Sequence, residues 1–180
     1  MTKPDRMAPA TAMEGIPQDN ACRLALALIK RQRTMVLATS RDDRPWSAPV
    51  YYLYFAPGFY FFSSPHALHI QHMRASDLAA ASIHADGERL EQLEGIQMSG
   101  RIETIDQPLL KMSVTGRYLI KFPLARPFLS GGPSTARDLL NRVRLYVFVP
   151  HRVYYMNHRT GFGVRTAVDL SPALRHGDHP

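Results

Sequence analysis

The sequence predicts a mainly β chain, an antiparallel β-barrel, closed or split, with six or so strands and two to three helices. Three observations predict it. Short β-branched and aromatic runs follow one another between tight turns from Thr34 to Phe62. Two-residue alternation returns at Ile96, Met98, Gly100 and Ile102. No strand–helix–strand alternation runs along the chain, which disfavours a doubly wound parallel sheet.

The first element is a helix. Asp19 or Asn20 can cap it, and Cys22, Leu24, Ala25, Leu28 and Ile29 give it an apolar face. Lys30, Arg31 and Arg33 fall in its last turn, where cations suit the helix dipole. Thr34–Ser40 is a first strand, and Arg41-Asp-Asp-Arg44 is a polar turn. Trp46–Phe55 reads as a second strand, Ala56-Pro57-Gly58 as a turn and Phe59–Phe62 as a third strand, together an antiparallel meander. Pro65 then opens a short helix to about Ser76.

Leu78–Ala85 is a fourth strand, of small and apolar residues, and is expected to be buried on both sides. A charged loop, 86–92, leads to a fifth strand over Leu93–Ile105. Asp106 caps a helix from Pro108 to Lys121, with proline in its tolerated first position. The stretch 122–133 is irregular and Thr135–Val143 forms a short helix. Leu145–Val149 and Val153–Met156 are final strands, interrupted at Pro150.

At 180 residues the chain suits one domain, expected over 19–168. Pro4, Pro9, Gly15 and Pro17 make residues 1–18 a disordered arm without the apolar core of a secretory signal. Residues 169–180 are expected to be a loose tail. The single cysteine, Cys22, permits no intrachain disulfide and reads as a small hydrophobe on the apolar side of the first helix. No apolar run is long enough to span a membrane, and the expected location is the cytoplasm.

The net charge of +7 is unevenly placed. Residues 1–100 hold ten Lys/Arg against ten Asp/Glu, and residues 101–180 hold twelve against five. That asymmetry points to an anionic partner or to a solvated basic surface. Nucleic acid is disfavoured, because the cations are dispersed and no stacking motif lies among them.

Glycine-rich dinucleotide and phosphate loops, serine nucleophile elbows and zinc-protease motifs are all absent from the sequence. Glu88, Glu91 and Glu94 belong to a solvated loop rather than to a catalytic pair. His66, His69 and His72 share a helical face at i, i+3 spacing, but no Cys and no well-spaced carboxylate completes a metal set, so no metal is expected. Ser63 and Ser64 run into a helix start, which presents hydroxyls and a positive dipole to a phosphate, with His69 and Arg74 adding charge; the same Ser-Ser-Pro also serves as an ordinary turn. Aromatics are dense from Tyr51 to Phe62 and, being consecutive on strands, face both sides of the sheet.

Taken in order, Met35-Val-Leu-Ala-Thr39, Arg44-Pro-Trp-Ser-Ala-Pro-Val-Tyr51, Phe59-Tyr-Phe-Phe-Ser-Ser64, the helix through His69 and Arg74, Leu78–Ile83 and Ile96-Gln-Met-Ser-Gly-Arg101 resemble the pyridoxamine 5′-phosphate oxidase-like superfamily of flavin-binding split barrels. Gly95–Gly100, Phe122-Pro-Leu-Ala-Arg126 and Asn157-His-Arg-Thr-Gly-Phe-Gly163 resemble one poorly characterised bacterial branch of it.

The resemblance implies a homodimer with two flavin mononucleotide (FMN) sites at the subunit interface, acting on a small-molecule substrate. It places Ser47, Ala48, Pro49, Val50 and Tyr51 along the isoalloxazine ring, largely through backbone groups. It places Ser63, Ser64 and His69, with Arg74 a turn away, at the phosphate, and Gln97 on the strand approaching from the other side. In the oxidase itself, arginine and lysine on the second strand and an Arg-Lys pair in the next helix hold the phosphate. The corresponding positions here are Ser47, Tyr52, Leu68 and His69. Losing charge-assisted bonds weakens flavin affinity and argues against pyridoxamine phosphate oxidase activity itself.

The leading expectation is therefore a flavin-dependent oxidoreductase with no nameable catalytic acid or base. The alternative is a non-enzymatic split-barrel protein that has exchanged flavin for another ligand such as haem, with His69 or His158 as the candidate iron ligand.

Overall fold

The computed structural model describes residues 16–55, 58–126, 143–159 and 161–170. The expected turn at Ala56-Pro57, all but Val143 of the expected helix at Thr135–Val143, and most of the expected arm and tail lie outside these residues.

Helix α1 (Gln18–Arg31) is followed by β1 (Thr34–Arg41), β2 (Arg44–Tyr51), β3 (Leu53–Phe55) and β4 (Gly58–Ser63). Helix α2 (Leu68–Ala75), β5 (Leu78–Ala85), β6 (Glu94–Thr104), α3 (Pro108–Lys121), β7 (Arg144–Asn157) and β8 (Arg165–Ala167) complete the order. All strand pairings are antiparallel, in the order β2-β1-β5-β6-β7-β4-β3, with β8 added to β7. The sheet curls so that β2, at one end of the path, packs against β4 near the other. This is the split barrel with helices that the sequence predicts.

The meander reading needs correcting. The second strand breaks at Tyr52, which is fully buried and sends its hydroxyl to the carbonyl of Ile29 at 2.7 Å. Consecutive segments β2 and β3 therefore end up at opposite ends of the strand order. Burying one tyrosine ring against α1 turns the chain from one half of the barrel into the other.

Two cores fill the barrel. Alternate residues of neighbouring strands form an inward row, Ala48–Leu37–Ala81–Met98–Val153, each at most 8% exposed. Ala21, Ala25, Leu28 and Ile29 of α1 close that core, and Ile16, ahead of the expected domain start, also packs on it. At the other end of the domain Leu170 is buried, so packing continues a little beyond 168. Strand β4 is buried on both sides: Phe59 and Phe61 face the main core, while Tyr60 faces a smaller one with Ile105, Val114, Leu145 and Val147 under α3.

Other departures have local causes. Pro150 does not interrupt the last strand, because the β6–β7 register slips there: Gly100 pairs with Pro150 and Ser99 with Arg152. The bulge accommodates the missing proline N–H. A Cβ on Gly100 would lie 2.2 Å from the carbonyl oxygen of Val149, so glycine is required at that approach. Strand β5 buries one face only: Ala81 and Ile83 point inward, while Leu78 is 63% exposed. Helix α1 begins at Gln18 with no side-chain cap, ahead of the expected Asp19 or Asn20, and α3 starts after Gln107 rather than being capped by Asp106. Cys22 is half-buried, its thiol donating to the carbonyl of Asp169 at 3.1 Å and pushed up in pKa chiefly by burial. Among the described residues no helix is long and apolar enough to cross a membrane.

Candidate functional site

Among the described residues strand β2 pairs only with β1, so its far edge presents backbone donors and acceptors that no described strand takes up. Pro45 and Pro49 are tolerated there for the same reason. Along it Ala48 and Val50 point into the core, and Ser47, Pro49 and Tyr51 point out. Phe122 meets Tyr51 edge-on at 5.4 Å. Close by, Nζ of Lys121 donates to the carbonyl of Gln32 at 3.0 Å and sits 4.2 Å over the Tyr52 ring. Burial, with Arg33 nearby, brings the Lys121 ammonium down to about 8. The end of α3 thus holds the end of β2 in place.

Both β4, which ends at Ser63, and α2, which carries His69, pack against β2. Oγ of Ser63 lies 2.9 Å from Nε2 of His69, whose ring is 7% exposed and packs beside Phe61. Burial, reinforced by His72, pushes the His69 imidazole below its ordinary range, so near neutral pH it is an uncharged partner that orients the Ser63 hydroxyl. Ser64 accepts the backbone N–H of His66 at 3.2 Å. Arg74 is exposed and donates to the carbonyl of Pro65 at 3.3 Å, tying down the turn before α2. His72, also buried, is hydrogen-bonded to Thr39 at 3.2 Å. The three histidines do not gather into a metal site: among the described residues no group of His, Cys, Asp or Glu is placed to hold a metal ion.

Gln97 is not brought to this end within one chain. Register places Pro49, Val36, Ser82, Gln97 and Tyr154 in one row across five strands. Three strand spacings, roughly 14 Å, separate Pro49 from Gln97. The next row on the same outward face is Ser47, Ala38, Ala80 and Ser99. Neither row carries a charge from β2 to β6. A hollow of about 410 Å³ lies on this face, lined among others by Ala38, Pro45, Leu78, Ala80 and His151.

Sequence reasoning missed another group. A cleft of about 380 Å³ opens between the β1–β2 turn and α2, lined by Arg41, Asp42, Arg44, Pro45, Trp46, Leu68, Gln71 and His72. It includes Leu68, one of the positions where the resemblance expects a cation. The signal was the doublet of arginines bracketing Asp42-Asp43, read only as a polar turn. A larger cleft of about 550 Å³ lies at the end of α1, near Arg31, Glu94 and Asn157. Two of its charges pair, Arg31 with Glu94 at 2.7 Å, and Tyr155 donates to Glu94 at 2.7 Å while accepting from Asn157 at 3.1 Å. Hydrogen bonding to Glu94 adds to burial in pushing the Tyr155 phenol to about 12.

Known proteins share this fold. Residues 23–157 match the family described as pyridoxamine 5′-phosphate oxidase. A UPF0306 protein of Klebsiella pneumoniae is 26% identical over 100 residues, 54% of this chain and 67% of that one. Among solved structures, a haem-binding protein from Mycobacterium smegmatis superposes with a TM-score of 0.65 at 16% identity, covering 82% of this chain and 57% of its own. A FAD-binding protein from Mesorhizobium loti superposes at 0.57 and 18% identity, covering 73% and 90%. At these identities the structural matches establish the fold.

Proposed function

This chain belongs to the pyridoxamine 5′-phosphate oxidase family, and from that premise we propose that it is an FMN-binding protein acting as a flavin-dependent oxidoreductase on a small-molecule substrate. The observation that carries the reading is the edge of β2 that no described strand takes up, packed against β4 and α2, the elements that carry Ser63 and His69. An isoalloxazine ring offers a row of alternating acceptors and one N–H, and a strand edge offers the complementary row. FMN would supply hydride or electron transfer when bound; the chain's part is to hold it, orient it and keep water away.

Ser63, held by His69, and Ser64 supply hydroxyls for the phosphate. Neither carries charge, and Arg74 is engaged at Pro65. The uncharged outward rows of β2, β1, β5 and β6 suit an interface between two copies, which would bring a partner's Gln97 to the ring bound at β2. The test is the visible spectrum of the protein after mixing with FMN and desalting. Co-eluting flavin at micromolar protein is the expected result; its absence overturns the reading.

A second reading, a haem-binding protein without enzymatic activity, is favoured by the haem-binding relative of the same fold. Geometry weighs against its simplest form, since His69 is buried and bound to Ser63, and His158 is bound through Nδ1 to the carbonyl of Leu90 at 3.0 Å with its ring against Phe162. A Soret band that appears on haem titration and is lost in His69→Ala or His158→Ala would favour haem; an unchanged spectrum removes it.

A further inference from the structure

We propose that the mouth of the barrel beside the end of α1 binds a small zwitterion with an apolar or aromatic side chain, an α-amino acid in chemical class, with Arg159 holding its carboxylate and Asp86 facing its ammonium. The inference goes beyond the flavin reading and does not depend on it, because the site opens on the inward face of the sheet, opposite the face that carries Pro49 and Gln97.

Register and alternation fix the place. Ile83, Ile96 and Tyr155 form an inward row on β5, β6 and β7, each at most 1% exposed. Two residues along each strand, Ala85, Glu94 and Asn157 form the next row on the same face. All three line the cleft of about 550 Å³ at the end of α1. The barrel interior therefore opens there, and a barrel mouth of this volume is a recurrent position for a small ligand.

The charges of the cleft select the ligand. Arg31, Asp86, Glu94 and Arg159 all line it. Arg31 and Glu94 answer each other at 2.7 Å, and Tyr155 holds the second oxygen of Glu94. Asp86 and Arg159 are left over. Asp86 meets His84 only loosely, at 3.9 Å, and its side chain is 92% exposed. Among the described residues the Arg159 guanidinium has no ion-pair partner. The two residues follow β5 and β7, which lie two strand spacings or roughly 10 Å apart, a gap that an arginine side chain and a small zwitterion span together. Helix α1 ends at Arg31, so its negative dipole end adds to the side that favours an ammonium. One unanswered charge of each sign suits a ligand that carries one of each.

The segment Asn157–Gly163, which the flavin reading leaves unused, supplies the apolar part. Its start is tied to the turn 90–93: the N–H of His158 donates to the carbonyl of Leu93 at 3.1 Å, and its ring bonds the carbonyl of Leu90 at 3.0 Å. Gly161 and Gly163 take φ of 152° and 74°, backbone that residues with side chains rarely adopt. Between them Phe162 stands 75% exposed, its ring 4.6 Å from that of His158, and Leu90 on the tied turn is 77% exposed. Two apolar side chains held in water within three residues of Gln92 and Arg159, both on the cleft wall, suit the side chain of the ligand.

The test is calorimetric titration of the full chain with L-phenylalanine, with 3-phenylpropionate, which lacks the ammonium, and with phenethylamine, which lacks the carboxylate. L-phenylalanine should bind saturably, its dissociation constant raised about tenfold or more in Arg159→Gln and partly recovered in Arg159→Lys. Asp86→Asn should raise it less, about threefold, because that charge is exposed and screened. Each analogue with a single charge should bind more weakly than L-phenylalanine. No saturable heat with L-phenylalanine, an Arg159→Gln constant equal to wild type, or an analogue that binds as tightly as L-phenylalanine overturns the proposal. Both substituted side chains are exposed, so the variants should unfold at the wild-type denaturant midpoint. Flavin retention after desalting is read separately, so this site and the flavin reading can fail independently.

Discussion

The two faces of the same four strands, β2, β1, β5 and β6, differ in what they commit to. Inward, Ala48, Leu37, Ala81 and Met98 are buried and fitted to one another. Outward, at the adjacent position of each strand, Pro49, Val36, Ser82 and Gln97 are small or polar, uncharged and at least partly open. The period of two allows one strand to serve a core and a surface of different purpose. The inward row makes the barrel; the outward row leaves it able to receive another molecule.

The sharpest way to separate the faces is to damage each in turn. Leu37→Ala removes a fully buried side chain and should cost about 2–5 kcal/mol, read from the denaturant midpoint. Ala80→Arg, on the outward face, should leave that midpoint nearly unchanged. It sets like charges across the proposed contact between copies, which should convert a dimer to a monomer in light scattering at micromolar concentration. If Ala80→Arg unfolds the chain, or leaves a dimer intact, the division of labour between faces is wrong.

Smaller effects belong to the far end of the barrel. Tyr155→Phe removes the hydroxyl between Glu94 and Asn157 and should cost about 1 kcal/mol while flavin retention stays as in wild type. Loss of flavin there would make the network part of the site. Lys121 gives a dependence on pH. Its folded pKa of about 8 lies below the 10.5 of a free lysine, so between these values the unfolded chain holds more protons and stability rises with pH. Lys121→Met lacks that contribution. Wild type should therefore gain stability relative to the variant as pH climbs from 8 to 10.5, and parallel curves would show that burial does not perturb the amine.

Much of this was legible in the residues. Strands β1, β4, β5 and β6 and helix α3 announce themselves by alternation, β-branched runs and Pro108 at a helix start. The hidden parts depend on partners remote in sequence. The break at Tyr52 needs α1 to receive the ring. Continuity through Pro150 needs Gly100 opposite to permit the bulge. Strand β8 is three residues, Arg-Thr-Ala, too short for any periodicity. At the site, Ser63 and His69 are hydrogen-bonded to each other, and Gln97 lies three strands from Pro49 within one chain. Arg41 and Arg44 look like solvated turn residues until α2 folds back to make a cleft with them.

Under the proposed function, flavin binds where the edge of β2 meets a second copy. Its most direct test is flavin content measured together with mass in solution, after loading with FMN and desalting. The expected result is a dimer carrying one flavin per subunit and an Ala80→Arg monomer that has lost it. A flavin-free wild-type dimer, or a monomer that keeps its flavin as tightly, would contradict it.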